Sequence, residues 1–255
     1  MAIKPTSRHG RERPPRIAAP VGNSILASLL ANEYKHLLPR LEPVTLKRHQ
    51  VIYRADQRID WVYFPEEAVV AMVDRMRDGR TTEVGIIGRE GIVGINIFLG
   101  GVATPDRAIV QLPGRAMRMS SKDLRKELRF GSPLQRLLLD YARTFLAVIS
   151  QSVACSQHHT IVQRLARCLL TMNDYTDSGE ILLDQSEIAN LLGVRRVGVS
   201  AAARELRSAA VVRYSRGCIS ILDTAELGKK SCECYGFIRK QYKHLRSDLP
   251  RLLTE

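Results

Sequence analysis

The stretch ANLLGVRRVGVSAAAREL, Ala189 to Leu206, decides the fold. It reads as two short helices hinged at Gly193, with Arg195 and Arg196 opening the second. Asp184, followed three residues later by Glu187, makes a capping-box start for a first helix over 185–192. Ile188, Leu191 and Leu192 give that helix an apolar stripe, and Ala189 is small where a partner helix must approach. Gly193 suits a sharp reversal, which wants a left-handed residue. The second helix, about Arg195–Ser208, is predicted to bury Val199, Ala202, Ala203 and Leu206. Its other face shows Arg196, Ser200 and Arg204. This is helix-turn-helix spacing. In such motifs the N-terminal residues of the second helix face base edges in the major groove, where arginine offers a bidentate fork to guanine. The next segment, VVRYSRGCISIL, reads as a hairpin turning at Arg216–Gly217. That is a wing, with Arg213 and Arg216 in reach of phosphates.

Working backwards, SPLQRLLLDYARTFLAVISQSVACSQ begins with Ser132 as N-cap and Pro133 at the first helical position. Leu134, Leu138, Tyr141, Phe145, Val148, Ser152 and Cys155 recur at alternating spacings of four and three. A repeat of 3.5 residues is the seam of a two-stranded coiled coil, so these seven residues are predicted to form a dimer interface. Earlier still, from about Val44 to Met119, the period is two. WVYFP (61–65), VVAMVDRM (69–76) and TTEVGII (81–87) read as strands, with Asp78–Gly79 as a hairpin turn. RAIVQLP and GRAMRMS continue the series with Pro113–Gly114 as their turn. Many short strands at regular spacing suggest a β-roll or jelly-roll barrel. A helix is expected over Ser24–Leu38, stopped by Pro39, and another over Ile161–Met172.

Charge supports a polyanionic partner. The chain has 39 Lys and Arg against 26 Asp and Glu, a formal net charge of +13, which favours nucleic acid over a membrane surface. Residues 1–23 hold four prolines and Lys4, Arg8, Arg11, Arg13 and Arg16 against Glu12, and read as a disordered basic arm. No apolar run is long enough to span a membrane and no secretory signal is visible, so the expected location is cytoplasmic. Five cysteines, Cys155, Cys168, Cys218, Cys232 and Cys234, argue against a disulfide framework. His158 and His159 lie near Cys155 in sequence, yet no second spaced pair completes a tetrahedral set, so no metal site is expected. Two alternatives are kept: a protein-interaction module with idle DNA-binding helices, and a thiol- or metal-responsive protein using Cys232 and Cys234, or Cys155 with His158. No triad, phosphate loop or dinucleotide glycine pattern points to an enzyme.

The order of roll, long helix and winged helix-turn-helix resembles the Crp/Fnr family of bacterial transcription regulators, from about residue 24 to residue 225. DQSEIANLLGVRRVGVSAAARELRSAAVV is similar to that family's DNA-binding motif, and VGIIGREGIVGINIFLGG to the part of its cyclic-nucleotide-binding-like domain leading into the phosphate cassette. The resemblance implies an α+β fold: a β-roll sensor domain over 24–131, a dimerisation helix over 132–157 and a winged helix-turn-helix domain over 158–225. A helical extension over 226–255 lies outside the family core. It also implies a homodimer on a pseudo-palindromic duplex, with RNA polymerase as a further candidate partner. Arg196, Ser200 and Arg204 would face bases, while Arg195, Arg213 and Arg216 would touch the backbone.

In members that bind cyclic AMP, a glutamate after a glycine holds the ribose and an Arg-Ser pair holds the cyclic phosphate. Here Gly94 is followed by Ile95, and ATPDRAIV offers Asp106–Arg107. A carboxylate there repels an anion, and a one-residue shift would turn Arg107 to the other face of a strand. Cyclic AMP is therefore not expected, no cofactor is expected, and the effector is unidentified. Residues 1–154 contain no cysteine, which rules out the iron–sulfur sensing of other members.

Overall fold

The computed structural model describes residues 22–248, less 80, 129, 177–178 and 216. The basic arm therefore lies almost wholly outside the described residues, as does Arg216. Asn23, placed in that arm by the sequence reading, is fully buried. It caps α1 (Ser24–Ser28), accepting from the Ile25 and Leu26 amides, and its Nδ2 donates to the Pro65 and Gly91 carbonyls at 2.9 Å each. The single helix expected over 24–38 is two. Leu29 and Leu30 are extended, and α2 (Ala31–Leu37) restarts where the Glu33 carboxylate accepts from the Leu30 amide, before a 3-10 turn over 38–40.

The roll follows. Strands β1 (Glu42–Leu46), β2 (Val51–Tyr53), β3 (Trp61–Pro65), β4 (Val69–Arg75), β5 (Thr81–Ile87), β6 (Arg107–Leu112) and β7 (Gly114–Ser120) form two antiparallel sheets. Their orders are β1-β7-β3 and β2-β6-β4-β5. Pro113–Gly114 is thus not the hairpin turn expected from sequence. Strands β6 and β7 belong to different sheets, and the pair carries the chain from one to the other. Between the sheets lie Leu46, Phe64, Val70, Ile87, Val110 and Met119. After β7 comes α3 (Ser121–Glu127), capped by Ser120.

The long helix α4 (Pro133–His158) has Ser132 at its N-cap, its hydroxyl accepting from the Gln135 amide. The predicted seam of this helix needs correction. Leu134, Leu138, Tyr141, Phe145 and Val148 are buried against the chain's own roll, and Cys155 against the C-terminal segment, while Ser152 is half-buried. Gly91 shows how closely the helix is seated: a Cβ there would collide with the Tyr141 hydroxyl. A stripe at 3.5-residue spacing satisfies a barrel flank as well as a coiled coil. What remains outside is a second stripe, Leu139 (53% exposed), Leu146 (62%) and Val153 (60%), spaced by seven.

Helix α5 (Ile161–Asn173) leads into β8 (Glu180–Leu182), α6 (Gln185–Leu192), α7 (Arg196–Ser208), β9 (Val212–Ser215) and β10 (Cys218–Ile221), with sheet order β8-β10-β9. This head packs on the outer face of the four-stranded sheet. Val69, Ala71, Val73 and Ile86 share one apolar cluster with Leu165, Leu169, Ile188 and Leu192. Arg48 seals the edge, its Nη2 donating to both Glu187 oxygens at 2.7 and 2.9 Å. The chain closes with α8 (Thr224–Lys230) and α9 (Cys234–Asp248), whose Ile238, Tyr242 and Leu245 join the cluster of the roll and α4.

Candidate nucleic-acid interface and effector pocket

The two helices of the motif form as their sequence directs. Asp184 Oδ1 accepts from the Ser186 and Glu187 amides, and the Glu187 carboxylate accepts from the Asp184 amide at 2.7 Å. Two orphan donors are satisfied reciprocally. Gly193 closes α6 in the left-handed region at φ 63°. Arg195 is the N-cap of α7, with no side-chain capping bond, so its guanidinium is not consumed in starting the helix. Val199, Ala202, Ala203 and Leu206 are buried against the head.

The opposite face of α7 is open. Arg195, Arg196 and Arg204 are exposed, and Ser200 is half-buried with its Oγ donating to Gln185 Oε1 at 2.6 Å. Arg213 is exposed on β9. A cleft runs from Asp184, Gln185 and Ser186 at the start of α6 past Arg196 to Tyr214, Ser215 and Gly217 of the wing. A second cleft lies between Gln185, Ser200 and Arg204. Of the residues named from sequence, Arg196, Ser200 and Arg204 line these clefts, Arg195 and Arg213 are exposed, and Arg216 lies outside the described residues. Two further residues of this surface, Val197 and Gln185, were not among the site residues named from sequence. Val197 is 74% exposed at the first turn of α7, an unusual place for an apolar side chain on a soluble surface. Gln185 was read only as the first residue of the 185–192 helix, although its side chain beside Ser200 puts an amide at the groove face.

The residues named for an effector sit in the roll. Gly94 is left-handed at φ 95°, and Ile95 is 5% exposed, pointing into the roll's cluster with Ile97. Thr104 is buried, and its hydroxyl donates to Asp106 Oδ1 while Asp106 Oδ2 is enclosed without a hydrogen-bond partner. Burial, then the nearby Asp106 charge, pushes the Tyr53 hydroxyl well above its ordinary pKa. Ala108 and Val110 face the roll interior while Ile109 packs on the outer cluster. Alternation therefore puts Arg107 with Ile109, away from the interior. Glu83, at the roll–head boundary, has its pKa raised to about 7 by burial, opposed by the Arg167 charge.

The thiols hold a surprise. Cys155, His159, Cys232 and Cys234 come together at the end of α4, with their ligating atoms within 4.8 Å of one another. The expectation that no second pair completes the set fails, because that pair arrives from the C-terminal segment. His158, named with Cys155 in the alternative reading, is exposed and takes no part.

A β-roll joined by a long helix to a winged helix-turn-helix head defines a class of DNA-binding transcription regulator. Family models match in both halves: the cyclic nucleotide-binding domain over residues 43–129 and the Crp-like helix-turn-helix domain over residues 163–230, together more than half of the chain. The chain belongs to the Crp/Fnr family. Among solved structures, FixK2 from Bradyrhizobium japonicum is similar at a TM-score of 0.64 and 17% identity, covering 75% of this chain and 98% of that one. TTHB099, a CRP-family transcriptional regulator from Thermus thermophilus, gives 0.63 and 18%, covering 74% and 96%. The c-di-GMP responsive regulator CLP from Xanthomonas campestris gives 0.58 and 13%, covering 76% and 100%. A search of curated proteins gives no match. Among the described residues no helix is long and apolar enough to cross a membrane.

Proposed function

We propose that this regulator acts in the cytoplasm as a homodimer that reads a pseudo-palindromic duplex without cyclic AMP. The observation that carries the reading is the α7 surface: one face, with Val199, Ala202, Ala203 and Leu206, is buried, and the other presents Arg195, Arg196 and Arg204, with Arg213 exposed on the wing. Arg196 donates to a guanine edge, and Ser200, with Gln185 behind it, reads an adjacent base. Val197 packs on a thymine methyl, the apolar contact the major groove offers. Arg195 and Arg213 neutralise phosphates, with Arg216 assigned to the same task from sequence.

Dimerisation runs along α4 through Leu139, Leu146 and Val153. Their support is exposure at heptad spacing on a helix whose other stripe is already used. Against cyclic AMP stand the buried Ile95, where the family's nucleotide binders need a glutamate, and the enclosed Asp106 carboxylate, where they need an arginine and a serine. Replacing Arg196 with alanine tests the reading. Preference for one base position should relax, with about 1–3 kcal/mol of discrimination lost there. Uniform weakening across all sequences would reassign Arg196 to the phosphate backbone.

A further inference from the structure

We propose that Cys155, His159, Cys232 and Cys234 form a closed tetrahedral site for a zinc-class divalent cation. Cys155 and His159 are four residues apart, hence on one face of α4, and His159 is the C-cap of that helix. Cys232 and Cys234 bracket the turn into α9. Cys155 Sγ lies 3.6 Å from Cys232 Sγ, and Cys234 Sγ lies 3.6 Å from His159 Nδ1. A zinc ion with bonds of about 2.3 Å to sulfur and about 2.0 Å to nitrogen sets tetrahedral edges of roughly 3.5–3.8 Å. The two edges therefore already have the length that a metal would impose. The three cysteines are buried, so the set encloses its centre and leaves no open position, as structural sites do.

The surroundings are also those of a ligand set. With Nδ1 turned to Cys234, His159 directs Nε2 to the Glu233 carboxylate at 3.1–3.2 Å. That outer bond fixes the tautomer and leaves Nδ1 free to ligate. Gln151 Nε2 donates to Cys234 Sγ at 3.1 Å. Three thiolates on a divalent ion carry a net negative charge. Arg167, whose Nε is enclosed without a hydrogen-bond partner, lies close enough for its charge to act on Cys155 and Cys232, and so does Arg164. A disulfide between Cys155 and Cys232 would explain one contact and leave Cys234, His159 and Glu233 without a task.

The location gives the site a consequence. Thr160, the next residue after His159, is the N-cap of α5, so the two form the joint between the long helix and the DNA-binding head. A cation held there ties α9 to that joint and fixes the angle of the head. That coupling rests on the proposed DNA-binding role; the metal site itself does not.

The experiment uses the full chain, stripped with chelator under reductant and titrated with cobalt alone. One cobalt per chain should bind, with the visible bands of a tetrahedral site and a thiolate charge-transfer band, and zinc should displace it. Cys234→Ser and His159→Gln should abolish that spectrum. Glu233→Gln, at an exposed side chain that tolerates exchange, should fold normally and weaken metal affinity about 10–100-fold. Cys218→Ser, on the wing, should change nothing. The proposal is overturned by absence of the tetrahedral spectrum, by its persistence in Cys234→Ser, or by recovery of a Cys155–Cys232 disulfide from protein isolated without oxidant. Cobalt binding by a chain indifferent to DNA would uphold the site and remove only its coupling to the head.

Discussion

Truncating Leu146 to alanine separates the two stripes of α4. Leu146 is 62% exposed in the single chain, whereas Val148, two residues on, is 5% exposed in the core. Full burial of a leucine is worth about 1.5–3 kcal/mol, so the part still open to a partner is worth roughly 1–2 kcal/mol. A twofold interface uses each residue twice, which doubles the loss to about 2–4 kcal/mol. Since 1.4 kcal/mol is tenfold, the dimer dissociation constant should rise by about 30- to 700-fold. Sedimentation equilibrium at several loading concentrations reads this directly. Val148→Ala should instead lower the thermal midpoint through a core cavity and leave the dimer constant nearly unchanged. The reasoning is refuted if Leu146→Ala dimerises as tightly as the parent, or if Val148→Ala dissociates the dimer without loss of stability.

Three further outcomes follow from the same geometry. Glu83, with its pKa raised to about 7, holds a proton in the folded state that the unfolded chain releases near its ordinary value of 4.5. Its contribution is therefore lost as pH rises from about 4.5 to 7, by up to about 1.4 kcal/mol per unit; urea midpoints should show this slope flattened in Glu83→Gln, and an unchanged slope would exclude Glu83 as its source. Gly193→Ala places a Cβ 2.8 Å from Thr82 Oγ1 at a left-handed φ and should cost about 1–2 kcal/mol or more, read as lower thermal stability. Asp184→Ala removes the cap that holds the start of α6 and should cost about 0.5–2 kcal/mol, with hydrogen exchange rising first at the Ser186 and Glu187 amides.

The head was legible in sequence because its signals are local. A capping box, a left-handed glycine and an apolar stripe each act within a few residues, and all three point to the same two helices. Strand existence in the roll was legible for the same reason. Pairing was not: Pro113–Gly114 has the composition of a turn whether the flanking strands pair or part, and only the rest of the roll decides. Helix α4 carries two stripes of similar period. Periodicity gives the faces without saying which meets its own chain, so Leu134 through Cys155 were assigned to a partner, while the stripe left exposed is Leu139, Leu146 and Val153. The thiol cluster was hidden by distance, since Cys155 and Cys232 are 77 residues apart and touch only because α9 returns along α4. Val197 could have been found: an apolar residue between two arginines and the buried Val199 belongs to neither the core stripe nor an ordinary solvated face.

The most direct test of the account is titration of the purified full chain against the duplex upstream of its own gene. It is run at fixed moderate salt with scrambled competitor, with and without cyclic AMP. The account predicts tight, competitor-resistant binding that ignores the nucleotide. Binding that appears only when cyclic AMP is added would contradict it, and with it the reading of Ile95 and Asp106.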